Sequence, residues 1–196
     1  MASDGLSEEL RSRMVLALDV DDLVEAVRLA KALKPWFGVA KVGLELFSAA
    51  GPDAIGTMHA HGGPAMLRAG VEGLEEGARN AELPTPIALA ITVLTSDTDA
   101  PQHIVPHRLR VAVEAGCGGI VCAAGDLRDI RTLAPRILRV VPGIRAAGGD
   151  VHDQARAVAP AAALAEGADL LVVGRAVTLA EDPAAAATRL FADVPS

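Results

Sequence analysis

Two strand-like apolar runs near the C-terminus end in the same way. Val140-Val141-Pro142-Gly143-Ile144-Arg145 and Val172-Val173-Gly174-Arg175 each set a glycine beside an arginine where the run gives way to a loop. Glycine lets backbone N–H groups approach an anion, and arginine adds a forked, permanent cation, so two such ends together make a phosphate clamp. One of them alone would as readily cap a strand or pair with a surface carboxylate. The repetition favours the clamp. Between them runs Gly148-Gly149-Asp150-Val151-His152-Asp153-Gln154, a polar, glycine-rich stretch. Its Gln154 amide is a candidate phosphate donor and the stretch a candidate cover over a ligand; the plainer alternative is a connection with an aspartate cap.

The N-terminal half supplies other polar groups inside apolar runs. Asp19 closes Leu16-Ala17-Leu18-Asp19-Val20, and Lys41 lies in Val39-Ala40-Lys41-Val42-Gly43. A lone buried charge is costly, so each needs a partner or an open mouth to face. A mutual salt bridge and a joint role in holding ligand hydroxyls are both open. Thr95 and Ser96 follow the run Ile87 to Leu94 and offer small hydroxyls at its end. His59 and His61, two residues apart, are the only metal-ligand spacing of note. No third ligand accompanies them, and no metal site is assigned.

These residues need a frame, and the runs that carry them provide it. Met14 to Val20, Val39 to Leu44, Ile87 to Leu94, Gly119 to Cys122, Ile137 to Val141 and Leu170 to Val173 read as buried strands. Amphipathic stretches at Asp22 to Leu33, Pro64 to Ala78, Asp126 to Leu133 and Asp153 to Glu166 read as helices between them. Such alternation predicts a barrel or a doubly wound parallel sheet. The second and third strong runs begin at 39 and 87, the widest interval in the chain, with one weak strand near Thr57 to Ala60. That makes seven strands, where a closed barrel has eight and typically needs ~250 residues. One βα unit is missing from the pattern.

Bulk properties narrow the classes. With 196 residues, 51% hydrophobic and 22% charged, the chain fits one globular domain spanning residues 1–196. A formal net charge of -7 argues against nucleic acid or an anionic membrane as partner, though not against a small anion held by local cations. Two cysteines, Cys117 and Cys122, make neither a C-x-x-C pair nor a disulfide framework, which fits a reducing cytoplasm. Neither a basic leader nor a membrane-length apolar run is expected. Lysine occurs only at Lys31, Lys34 and Lys41.

Taken in order, L-A-L-D-V at Leu16 to Val20, A-K-V-G at Ala40 to Gly43, H-A-H-G-G-P-A-M at His59 to Met66, L-T-S at Leu94 to Ser96, P-G-I-R at Pro142 to Arg145, D-Q at Asp153 and Gln154, and V-V-G-R at Val172 to Arg175 closely resemble the orotidine 5'-monophosphate decarboxylase family. The likeness extends from Arg13 to Val194. It implies a TIM-type (β/α)8 barrel, here lacking one βα unit, that decarboxylates orotidine monophosphate to uridine monophosphate as a homodimer without metal or organic cofactor. It further implies that Asp19 and Lys41 contact the ribose side, that Thr95 with Ser96 meets the pyrimidine, and that Arg145, Gln154, Gly174 and Arg175 hold the phosphate. In the family, a third-strand D-x-K-x-x-D motif supplies the proton-donating lysine and two carboxylates, one of which reaches the partner subunit. That segment is absent here, where Met58 runs directly into His59. Lys31 and Lys34 belong to the first helix, and Lys41 has another place in the network. The expectation is therefore an impaired decarboxylase. The alternatives are a non-catalytic uridine-nucleotide-binding or dimerisation module, or, more remotely, another phosphate-sugar barrel enzyme.

Overall fold

The computed structural model describes residues 5–20, 23–42, 57–93, 101, 103–146 and 157–194. Among them are β1 (Met14–Leu18), β2 (Val39–Val42), β3 (Thr57–His59), β4 (Leu89–Ile91), β5 (Gly119–Val121), β6 (Leu138–Val141) and β7 (Leu170–Val173). Each falls within a run that reads as a strand in the sequence, the weak one at Thr57 included. They form one parallel sheet in the order β2-β1-β7-β6-β5-β4-β3. The last strand returns to pair with the first, Val15 opposite Val172 and Leu16 opposite Val173, which is barrel order and not the switch-point order of a doubly wound sheet.

Among the described residues the ladder is interrupted only between β2 and β3, so the sheet is a curled TIM-type barrel lacking one unit and open on that side. Met58 and His59 lie in one strand, opposite Ala90 and Ile91. The opening therefore falls ahead of Thr57, not between Met58 and His59. Strand pairing fixes that position through hydrogen bonds, whereas motif order brackets it only loosely.

Among the described residues the helices are α1 (Glu8–Arg11), α2 (Leu23–Leu33), α3 (Gly63–Ala81), α4 (Ile104–Glu114), α5 (Leu127–Leu133), α6 (Pro160–Ala165), α7 (Arg175–Thr178) and α8 (Pro183–Leu190). The helix expected from Asp153 is shorter in its described part. Val158 forms a parallel bridge with Ile144, and Ala159 stays extended with ψ 148°. Helix α6 begins only at Pro160, a first-turn position where the missing N–H costs nothing.

Alternation along the strands builds two faces. Leu16, Leu18, Ala90, Ile120, Val141, Leu171 and Val173 are buried in one continuous core with Leu29 and Leu33 of α2, Leu67 of α3, Leu109 of α4, Ile130 of α5 and Leu190 of α8. Each large side chain so buried contributes roughly 1.5–3 kcal/mol relative to exposure. Phe37, just past α2, meets Phe191 edge-on with ring centroids 5.5 Å apart, joining the turn after α2 to the C-terminal turn. The alternate positions Val15, Ala17, Leu89 and Val140 face the barrel interior and are buried as well.

The N-terminal ends of the strands are tied by charge. Arg139 Nε lies 2.7 Å and its Nη2 2.9 Å from the two carboxylate oxygens of Asp169, while the Arg139 backbone N–H donates to the same carboxylate at 2.8 Å. Arg13 adds donations to the carbonyls of Ala168 and Asp169. This end of such a barrel serves stability, leaving the opposite end for a site.

Candidate functional site

Five of the eight residues singled out in the sequence lie in described parts of the chain, and all five stand at the C-terminal ends of four contiguous strands. Lys41 lies on β2, Asp19 follows β1, Gly174 and Arg175 follow β7, and Arg145 follows β6. Thr95, Ser96 and Gln154 lie outside the described residues.

Register explains how the first group meets. Ala17 stands opposite Lys41, and Asp19 lies two residues further along the same face of β1. Lys41 Nζ reaches Asp19 Oδ1 at 3.0 Å. The two side chains are 48% and 63% exposed, so the pair lies at an open mouth and not in a sealed core. Of the two open readings of these charges, the salt bridge is present, and its exposure leaves both groups accessible to a ligand.

The two Gly-Arg ends differ in construction. After β6, Gly143 adopts φ 78°, a left-handed turn that favours glycine. The chain that follows is stitched to the extended residues before α6: Arg145 N–H donates to Val158 O at 3.0 Å, and Val158 N–H donates to Gly143 O at 3.3 Å. Arg145 also donates Nη1 to Ile144 O at 2.9 Å. After β7, a Cβ on Gly174 would stand 3.4 Å from the Cβ of Ala17, so the turn packs closely on β1. The Gly174 carbonyl accepts from the N–H groups of Val177 and Thr178 and so starts α7, with Arg175 exposed as its first residue.

Among the five residues there are three cations, Lys41, Arg145 and Arg175, against the one carboxylate of Asp19. Arginine and lysine side chains at strand ends can attract a small anion even in a chain of net negative charge. Thiol chemistry has no place here. Burial pushes the Cys122 thiol up to about 12, and burial raises Cys117 as well, so neither forms a thiolate near neutral pH. His59 ends β3, whereas His61 lies in the following 3-10 turn, so the two do not share one strand face. Among the described residues no group of three His, Cys, Asp or Glu side chains is placed to hold a metal ion.

Sequence reasoning missed Thr92 and Arg108. Thr92 is a buried polar residue just past β4, and Arg108, on α4, donates to its carbonyl. No motif marks either one. The only signal was a threonine late in an apolar run.

Fold and site together define a parallel βα-barrel protein whose described candidate residues stand at the C-terminal ends of its strands. The sequence model described as "Orotidine 5'-phosphate decarboxylase / HUMPS family" matches in two stretches, residues 12–67 and 54–190. The orotidine 5'-phosphate decarboxylase of Moorella thermoacetica is 35% identical over 233 residues, covering 94% of this chain and 92% of the relative. That alignment is longer than the 196-residue chain, so the relative carries residues that this chain does not. The enzyme of the same name from Anaeromyxobacter dehalogenans is 37% identical, covering 92% of this chain and 97% of its own. The crystal structure of orotidine 5'-phosphate decarboxylase from Lactobacillus acidophilus superposes with a TM-score of 0.70 at 25% identity, covering 94% of this chain and 99% of that one. The chain belongs to the orotidine 5'-phosphate decarboxylase family, whose members are carboxy-lyases.

Proposed function

We propose that the chain is an orotidine monophosphate decarboxylase by descent that holds a uridine nucleotide at its C-terminal mouth and is impaired in turnover. The observation that carries this reading is the position of the opening. It lies between β2 and β3, where the family resemblance puts the strand bearing D-x-K-x-x-D, while the strands carrying Asp19, Lys41, Arg145, Gly174 and Arg175 remain side by side.

In the reaction, the bond from pyrimidine C6 to the carboxylate breaks, carbon dioxide leaves, and the electron pair left on C6 takes a proton. Arg145, Gln154, Gly174 and Arg175 hold the phosphate, Asp19 and Lys41 the ribose, and Thr95 with Ser96 the base. Binding at the phosphate organises the site, but the step at C6 needs an ammonium and carboxylates aimed there. Lys31 lies on α2, Lys34 directly follows it, and Lys41 is paired with Asp19. The acid position is therefore empty of lysine, which favours nucleotide capture over catalysis. The rest of the proposal follows the same descent: no metal or organic cofactor, a homodimer, and a place in the cytoplasm within pyrimidine biosynthesis. Two free buried thiols agree with a reducing compartment, and among the described residues no helix is long and apolar enough to cross a membrane.

The test pairs two measurements on the purified chain: calorimetric titration with uridine monophosphate, and carbon dioxide release from orotidine monophosphate. Binding without turnover is the expected result. Absence of nucleotide binding overturns the reading.

A further inference from the structure

The phosphate clamp lies at β6 and β7 and the Asp19–Lys41 pair at β1 and β2, which leaves the ends of β3, β4 and β5 for the base. On that side β3 is the last strand of the sheet among the described residues. It has three residues and a single neighbour, β4, among the described strands. Short edge strands with one partner are the easiest to detach.

One side chain braces this margin. Thr92, 1% exposed, follows β4 and sends both its N–H (3.0 Å) and its Oγ1 (2.9 Å) to the carbonyl of Val121, closing the β4–β5 ladder at its upper end. The Thr92 carbonyl accepts from Arg108 Nη1 of α4. The second terminal nitrogen of the same guanidinium, Nη2, lies 3.4 Å from His61 Nδ1 in the turn that leaves β3. Arginine only donates, so the ring nitrogen accepts. A planar fork of fixed geometry thus joins the exit of β3 to the end of β4, a span that a single-headed ammonium does not bridge.

We propose that Arg108 is a positioning residue for the base-receiving side of the mouth: it sets the spacing between the ends of β3 and β4, and through that spacing the fit of the pyrimidine. This rests on the nucleotide reading of the site. Arg108 touches neither phosphate nor sugar in this scheme, so its removal separates the parts of the ligand.

The experiment compares the unaltered chain with Arg108→Ala and Arg108→Lys, titrating uridine monophosphate and ribose 5-phosphate against each. Arg108→Ala is expected to weaken the nucleotide about tenfold or more while ribose 5-phosphate stays within about twofold. Arg108→Lys recovers only part of the loss. Parallel weakening of both ligands, or no change in either, overturns the proposal. Amide hydrogen exchange keeps it testable if a variant is unstable or if the unaltered chain binds no nucleotide, the outcome that would sink the nucleotide reading alone. In Arg108→Ala the amides of 57–59 and 91–93 should exchange faster, with those of 170–173 unchanged. Uniform acceleration, or none, overturns the brace.

Discussion

Lys41 Nζ sits 3.0 Å from Asp19 Oδ1, linking the C-terminal ends of adjacent strands β2 and β1 at the open mouth. Both side chains are about half exposed, and pairs of this kind contribute only ~0–1 kcal/mol to stability. The pair therefore matters more to a ligand than to the fold. Lys41→Ala should leave the melting temperature almost unchanged and weaken uridine monophosphate binding. A large drop in melting temperature with unaltered affinity would assign the pair to structure instead.

Arg175 stands at the end of β7 beside Gly174, one half of the proposed clamp. Charge-assisted hydrogen bonds contribute ~1.5–3 kcal/mol each, so Arg175→Ala should cost one to two orders of magnitude in affinity for uridine monophosphate. Uridine, which lacks the phosphate, should lose far less. Equal losses for nucleotide and nucleoside would rule the clamp out.

Catalysis should follow the missing strand. Losing one electrostatic stabiliser at a reacting centre commonly costs ~10²–10³ in rate, and losing an interacting set costs more. The chain, purified free of host enzyme, should release no carbon dioxide from orotidine monophosphate above background. Inserting a family-type βα unit with D-x-K-x-x-D between Val42 and Thr57, where the sheet is open, should restore turnover, and changing its lysine to alanine should remove it again. Robust turnover by the unaltered chain, abolished by Lys41→Ala, would show that Lys41 itself serves as the acid.

The opposite end of the barrel should be acid-sensitive. Burial acts to raise the Asp169 carboxyl pKa, but the hydrogen bonds from the Arg139 side chain and backbone outweigh it, and the group lies below its ordinary value of 3.8. A carboxyl with a lower pKa in the folded than in the unfolded chain stabilises the fold fully above the unfolded value and loses that contribution as the pH falls through the folded one. Asp169→Asn should therefore lower stability at pH 7 by about 1–3 kcal/mol, since it also strips a part-buried guanidinium of its partner. Melting curves of both proteins should converge as the pH drops below 3.8. A difference that stays constant with pH would show that the ion pair is not its source.

Periodicity and punctuation were enough to locate all seven described strands, because a buried parallel strand is a short run of apolar residues whatever its neighbours are. The same local information exposed the absent βα unit as an interval too long between runs, and it picked out Asp19, Lys41, Arg145, Gly174 and Arg175 as charges and glycines at strand ends. Tertiary structure decided what depends on distant partners. That the Asp19–Lys41 salt bridge forms follows from the register of β1 on β2. The start of α6 at Pro160 follows from Val158 being held extended against Ile144, a contact that no helical pattern reveals. The opening falls ahead of Thr57 because Met58 and His59 pair with β4. Arg108 was illegible for the same reason. Its two partners, Thr92 and His61, lie 16 and 47 residues away along the chain. Local sequence sets which residues favour a strand or a helix, but a guanidinium finds its acceptors only when the packing of helices on the sheet brings separate strand ends within hydrogen-bond reach.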